Sequence, residues 1–297
     1  MKLNLIKEKG LFKSPILYVM LILIASHLAT IFSGVFSVFY ERMFFSVFPS
    51  NSYMSTLAEL SGFIALTLSV IFLSRVIYKQ PLHGLGFTKK SSLRDYLKGW
   101  LYGASILTIC VIIMMIFGAV KINRVEFNAR LALQFIPLII AWSIQGNAEE
   151  VLTRGFILAG VSQRINILTG IVISSAFFSV MHLGNNGLDM LPLIDLFMFG
   201  IFASLVMIKS KNIWVVSGFH AAWNCFQGNV FAFPVSGTSV GNAFFHVTTH
   251  GPNWLSGGKF GVEGSMVSIL VQLILIAWLY YDIFIKGKRK LTDKFDF

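Results

Sequence analysis

An all-α, polytopic membrane bundle of about eight transmembrane helices is the fold this sequence predicts, and three observations predict it. Of its 297 residues 56% are hydrophobic and only 12% charged, and the mean hydropathy is +0.74, a composition that a water-exposed globular domain does not tolerate. Apolar runs long enough to cross a bilayer core of roughly 30 Å recur between polar breaks. Lysines and arginines gather in alternate connections, as they do where cytoplasmic loops set orientation.

The spans are expected near 15–39, 56–78, 98–120, 132–161, 166–183, 190–208, 212–228 and 265–285. The first follows a basic start, "MKLNLIKEKGLFK". Its apolar run is too long for a signal-peptide core and no small-residue cleavage site follows, so it reads as a retained span. With both termini in the cytoplasm, that side receives Lys2, Lys7, Lys9 and Lys13, then "KKSSLRDYLK", Arg164, Lys209, Lys211 and "KGKRK". The opposite side holds Arg42, Lys121, Arg124, Arg130 and Lys259. The formal charge of +11 is therefore read as topology, and no nucleic-acid partner is expected. Cys110 and Cys225 each stand inside an apolar run, far apart, so neither a disulfide framework nor a CxxC metal site is available. Three regions follow: N-terminal helices over 1–131, a core over 132–228, and an extracytoplasmic loop with the last helix over 229–297. Within the third, residues 228–264 are rich in glycine and aromatic residues and long for a structureless connection, which suggests a covering role. Its His246 and His250 read as solvated loop histidines rather than ligands.

Polar groups inside the core carry the functional signal. Ionisable side chains within a span cost about 2.5–3.5 kcal/mol each on insertion scales, so each needs a reason. The stretch "GNAEEVLTRGF" places Glu149, Glu150 and Arg154 together in an apolar run. Glu150 and Arg154 stand at i and i+4, the spacing of a structural ion pair. Glu149 lies about 100° round the helix and needs another partner. The following segments offer "FSVMH", ending at His182, and "HAAWN", from His220 to Asn224, each pair on one helical face. Counted from the turn near Asn166, Glu149 and His182 both lie roughly 25 Å up antiparallel neighbours, and His220 and Asn224 reach a similar level.

A carboxylate, two imidazoles and an amide at one point suit activation of water for attack on a carbonyl. Glu149 is the candidate general base, His182 a co-ligand of the water, and His220 and Asn224 donors to the oxyanion. Equally, Glu149, His182 and His220 are a ligand set for a catalytic Zn²⁺. The residues leave both mechanisms open. There is no HExxH and no GxSxG. Two non-proteolytic readings compete: a proton-coupled transporter, for which no inverted repeat is visible, and a non-catalytic immunity or scaffold protein, which would need the ion pair but not Asn224.

The order EExxxR, FxxxH, HxxxN in successive membrane segments resembles the CPBP family of CAAX-prenyl-protease and bacteriocin-processing intramembrane proteases, also called Abi. Here the motifs read "EEVLTR", "FSVMH" and "HAAWN", without substitution. The resemblance implies an intramembrane endopeptidase in which Glu149 with His182 activates water, His220 and Asn224 stabilise the oxyanion, and Glu150 with Arg154 orients the site. Such members are commonly called metalloproteases, while a metal-free, glutamate-dependent mechanism is argued for the eukaryotic type. The expected partners are a membrane protein or peptide substrate and the lipid bilayer, and the expected setting is a bacterial plasma membrane.

Overall fold

The computed structural model describes residues 14–78, 82–88 and 90–295. The basic N-terminal cluster of Lys2, Lys7, Lys9 and Lys13 lies outside these. The chain is a helical bundle. Long apolar stretches give α1 (Pro15–Val47), a pair α2 (Ser52–Gly62) and α3 (Ile64–Leu73), and α4 (Ser92–Ile116). Then come α5 (Ala129–Glu150), continued by a π-helical segment Val151–Leu158 into α6 (Ala159–Arg164), and α7 (Ile167–Val180). α8 (Met190–Ser210), α9 (Ile213–Cys225), a short α10 (Asn253–Ser256) and α11 (Met266–Tyr280) complete it. Among the described residues six helical stretches are long and apolar enough to cross a membrane: Pro15–Val47, Ser52–Val76, Ser92–Ile116, Ala129–Arg164, Met190–Ser210 and Met266–Lys286. The expected spans over 166–183 and 212–228 correspond to α7 and α9, which are shorter, at 14 and 13 residues.

Polar residues punctuate the bundle at its turns. Ser14, Asn51, Asn128, Asn166, Asp189, Asn212 and Ser265 each cap a following helix by accepting a hydrogen bond from its first free backbone N–H groups. Apolar side chains that face outward, among them Ile16, Phe39, Ile116, Leu133 and Ile274, are where lipid replaces a protein core.

α9 sits deepest. All of Gly218 to Cys225 is buried, because α4 and α5 close on it through small residues. A side chain at Gly99 or Gly103 would collide with the backbone carbonyls of Val215 and Phe219, one at Gly218 with that of Tyr96, and a Cβ at Gly146 would stand 2.8 Å from the Ala221 nitrogen. Glycines at i and i+4 let two membrane helices approach to backbone contact.

The polar segment after α4 is a strand, β1 (Val120–Val125), paired antiparallel with β2 (Phe245–Thr249) from the long loop. The loop over 228–264 is accordingly an ordered cover. Thr56 donates to the Val240 carbonyl at 3.1 Å, Asn242 to Gln134 at 3.0 Å, and Asn185 to the Ser236 carbonyl at 2.8 Å, which ties it to three separate parts of the bundle.

Candidate active site

The site starts from α5 and the π-helical turn that follows it. A π segment widens the helix and is frequent at functional positions; here it runs straight after Glu150. Arg154, fully buried, donates to Glu150 Oε1 at 3.0 Å, to Thr153 Oγ1 at 2.6 Å and to the Gly200 carbonyl at 3.2 Å. Its guanidinium also stands 4.7 Å from the centre of the Phe178 ring. The i, i+4 ion pair expected from spacing is present, and it crosses to α8 as well.

Glu150 has a second partner. His220 Nδ1 lies 2.8 Å from Glu150 Oε1. Because that oxygen also receives Arg154, it is an acceptor, so Nδ1 carries a hydrogen and donates. The far ring nitrogen, Nε2, is 3.8 Å from Glu149 Oε2. The two adjacent carboxylates leave the helix in different directions, and one imidazole spans them. Glu149 has no contact with Arg154 of the kind Glu150 makes, and both glutamates meet His220.

Glu149 is held from its own helix. Gln145 Nε2 donates to Glu149 Oε1 at 2.8 Å, and Asn224 Nδ2 donates to Gln145 Oε1 at 3.0 Å. A carboxylate only accepts, which fixes the Gln145 amide and through it that of Asn224. Asn224 thus reaches Glu149 through one intermediary. Gln145 was not singled out from the sequence, although its position four residues before Glu149 in an apolar helix was a readable signal.

His182 departs from the expected helical placement. α7 ends at Val180, and His182 lies in the turn beyond it, its Nδ1 2.8 Å from the Phe178 carbonyl. That contact leaves Nε2 as the ring atom available to the cavity. Glu149, His182, His220 and Asn224 all line one cavity of about 560 Å³, the size of a small-ligand cleft. Glu149 Oε2, Asn224 Oδ1 and Trp223 Nε1 are buried on its walls without a hydrogen-bond partner among the described residues. Such atoms call for water or substrate.

As a zinc centre the donor types suit, since Glu149 Oε2 and the Nε2 atoms of His182 and His220 are the free donors. Two of them, Glu149 Oε2 and His220 Nε2, approach to 3.8 Å. Among the described residues no three of His, Cys, Asp or Glu form a group that could hold a metal ion. His246 lies beside Glu126 and Arg124, and His250 beside Thr248.

With this geometry in view, residues 131–226 match the model of the Rce1-like family, described as type II CAAX prenyl endopeptidase Rce1-like. This segment belongs to the CPBP family. No curated protein matches the chain. The CPBP match covers about a third of the sequence and ends just past Asn224, so it contains all three motifs. The likeness is to a CAAX-protease-like intramembrane endopeptidase, at the level of the family. Outside it lie cavity residues that sequence reasoning passed over. α1 turns His27, Thr30, Gly34 and Ser37 to the cavity, spaced three and four apart so that they share one face. The loop before α11 contributes Glu263, and α2 contributes Glu59.

Proposed function

We propose that this protein hydrolyses peptide bonds of membrane-associated proteins or peptides inside the bilayer, with water activated by Glu149. The observation that carries this reading is the 3.8 Å gap between Glu149 Oε2 and His220 Nε2 in a buried cavity. It is too long for a hydrogen bond and suits one bridging water. Glu149 takes a proton from that water as its oxygen attacks the carbonyl carbon of the peptide. The C–N bond then breaks, and the proton passes from Glu149 to the leaving amine. His182 Nε2 holds the same water. Oxyanion donors are the second amide hydrogen of Asn224 and the Nε2–H that His220 carries when protonated; one such donor is typically worth ~3–4 kcal/mol. Gln145, Glu150 and Arg154 hold these groups in place.

Water activation in this reading runs through the carboxylate and imidazoles alone. Full activity after exhaustive chelation is the expected result. Loss of activity that zinc restores would assign Glu149, His182 and His220 to a metal instead. The positive charges Arg164, Lys209 and Lys211 at helix ends favour a cytoplasmic placement of both termini in a bacterial plasma membrane.

The direct test is cleavage by the purified full-length protein in ¹⁸O-labelled water. Hydrolysis predicts one ¹⁸O in each new C-terminus with wild type and none with Glu149→Gln. Products that appear equally with the variant would refute the assignment of the base.

A further inference from the structure

The cavity that contains Glu149 has a second wall, and its chemistry is one-sided. Asp195 from α8 and Glu263 from the turn before α11 both line it, and they are near enough to repel each other. Each is held in place by neutral donors. Gln272 Nε2 donates to Asp195 Oδ1 at 2.9 Å. The Ser236 backbone N–H and hydroxyl donate to Glu263 Oε2 at 2.9 and 2.8 Å. Neither carboxylate forms a salt bridge, and no lysine or arginine lines the cavity, among the described residues. Glu59 stands at the same cavity from α2. By contrast, the one fully buried carboxylate on α5, Glu150, has Arg154.

An acidic wall alone could be a packing residue set with its charge suppressed. The unsatisfied atoms argue for a ligand. Apart from Glu149 Oε2, which the catalytic water takes, Asn224, 3% exposed, lines the cavity with Oδ1 unpartnered among the described residues, and so does Trp223 with its Nε1 donor. The Asn224 oxygen is identified because its nitrogen is committed to Gln145. On both walls, then, acceptors predominate, and two buried carboxyl groups have no cationic partner among the described residues, the partner that a buried carboxylate requires. A cation with several N–H donors on an apolar stem satisfies such a wall, which describes a lysine or arginine side chain. The cavity volume of about 560 Å³ is about 10 Å across if compact, room for about three residues of extended chain. The cation must therefore lie close to the bond that is cut.

We propose that Asp195 and Glu263 form a subsite for a lysine or arginine of the substrate, within two residues of the scissile bond, so that the enzyme selects basic peptides. This rests on the endopeptidase reading above. It gives the long loop a role, since Glu263 and its partner Ser236 both come from it.

The test uses the full-length protein in nanodiscs with a randomised peptide mixture, the cut sites being read by mass spectrometry. A pair of peptides differing only in lysine or norleucine at the enriched position follows. Wild type is expected to cut preferentially beside Lys or Arg, and Asp195→Asn and Glu263→Gln each to lower the lysine-to-norleucine ratio of kcat/KM about tenfold. A ratio near one in wild type, or a ratio unchanged in both variants, would overturn the subsite while leaving proteolysis intact. Should no peptide be cut in a Glu149-dependent way, the endopeptidase reading falls and binding decides the subsite. Fluorescence anisotropy of a lysine-containing apolar peptide and its norleucine counterpart on the Glu149→Gln protein must then show the lysine preference, and its loss on adding Glu263→Gln, or the subsite fails too. Glu263 lies in a short 3-10 turn outside the membrane-spanning helices, so it supplies the answer where Asp195→Asn does not fold.

Discussion

The chemistry of this site depends on how few side chains hold Glu149. Gln145 is its only side-chain donor among the described residues, and it also receives Asn224. A hydrogen bond to a charged group contributes about 1.5–3 kcal/mol. Gln145→Ala should therefore lower kcat by about 10- to 100-fold with KM little changed, because it frees the base and the amide without touching substrate. Steady-state kinetics on a peptide substrate checks this; a change confined to KM would place Gln145 in substrate binding instead. At this scale the sequence was legible wherever spacing alone decides contact. Glu150 and Arg154 pair as i, i+4 residues do, whereas the link between Glu149 and Asn224 passes through a residue whose role only the facing helix reveals. Asp195 could have been read, being a lone carboxylate in "MLPLIDLFMFG", and the cost of such a group in a span makes it a functional candidate by default.

At the scale of elements, α9 is positioned by absence of side chains. It packs on α4 through Gly99 and Gly103, a GxxxG pair in "GWLYG", and it carries both His220 and Asn224. Gly103→Val should lower the thermal midpoint and cut activity together, since the added methyls force α9 away from α4. Retained stability and activity would contradict the proposed packing. The expected turn at Asn166 is where the α7 cap sits, but His182 left its helix because α7 stops two residues earlier, a boundary that periodicity does not fix.

The β1–β2 pair offers a pH test outside the spans. Partial desolvation pushes the Glu126 carboxyl up, but the neighbouring Arg124 and His246 outweigh it and hold it below its ordinary value. A depressed carboxylate lends stability above its unfolded pKa of about 4.3 and loses it as pH falls through the folded value. Hydrogen exchange in residues 120–125 and 245–249, corrected for intrinsic rates, should accelerate over that acidic window. Glu126→Gln should remove the pH dependence, and identical profiles for the two proteins would contradict it. The pairing itself was not legible, because β1 and its partner are separated by more than a hundred residues.

For the whole molecule, apolar run lengths gave the helical class, while the division of labour was less visible. The N-terminal helices carry none of the three motifs, yet α1 lends His27 and Ser37 to the cavity, and the loop over 228–264 covers it. A cavity wall assembled from four distant segments leaves no local pattern. Orientation is testable at this scale: a fluorescent reporter fused after Phe297 should light up in the cytoplasm, as the basic segments near the C-terminus require. Fluorescence only with a periplasm-competent reporter would reverse the topology. The central claim, that this protein cuts peptide bonds through Glu149, is met most directly in cell membranes. New protein N- and C-termini should be compared by mass spectrometry between wild type and Glu149→Gln expressed at matched levels. The account predicts a set of termini present only with wild type; coincident profiles under several growth conditions would contradict it.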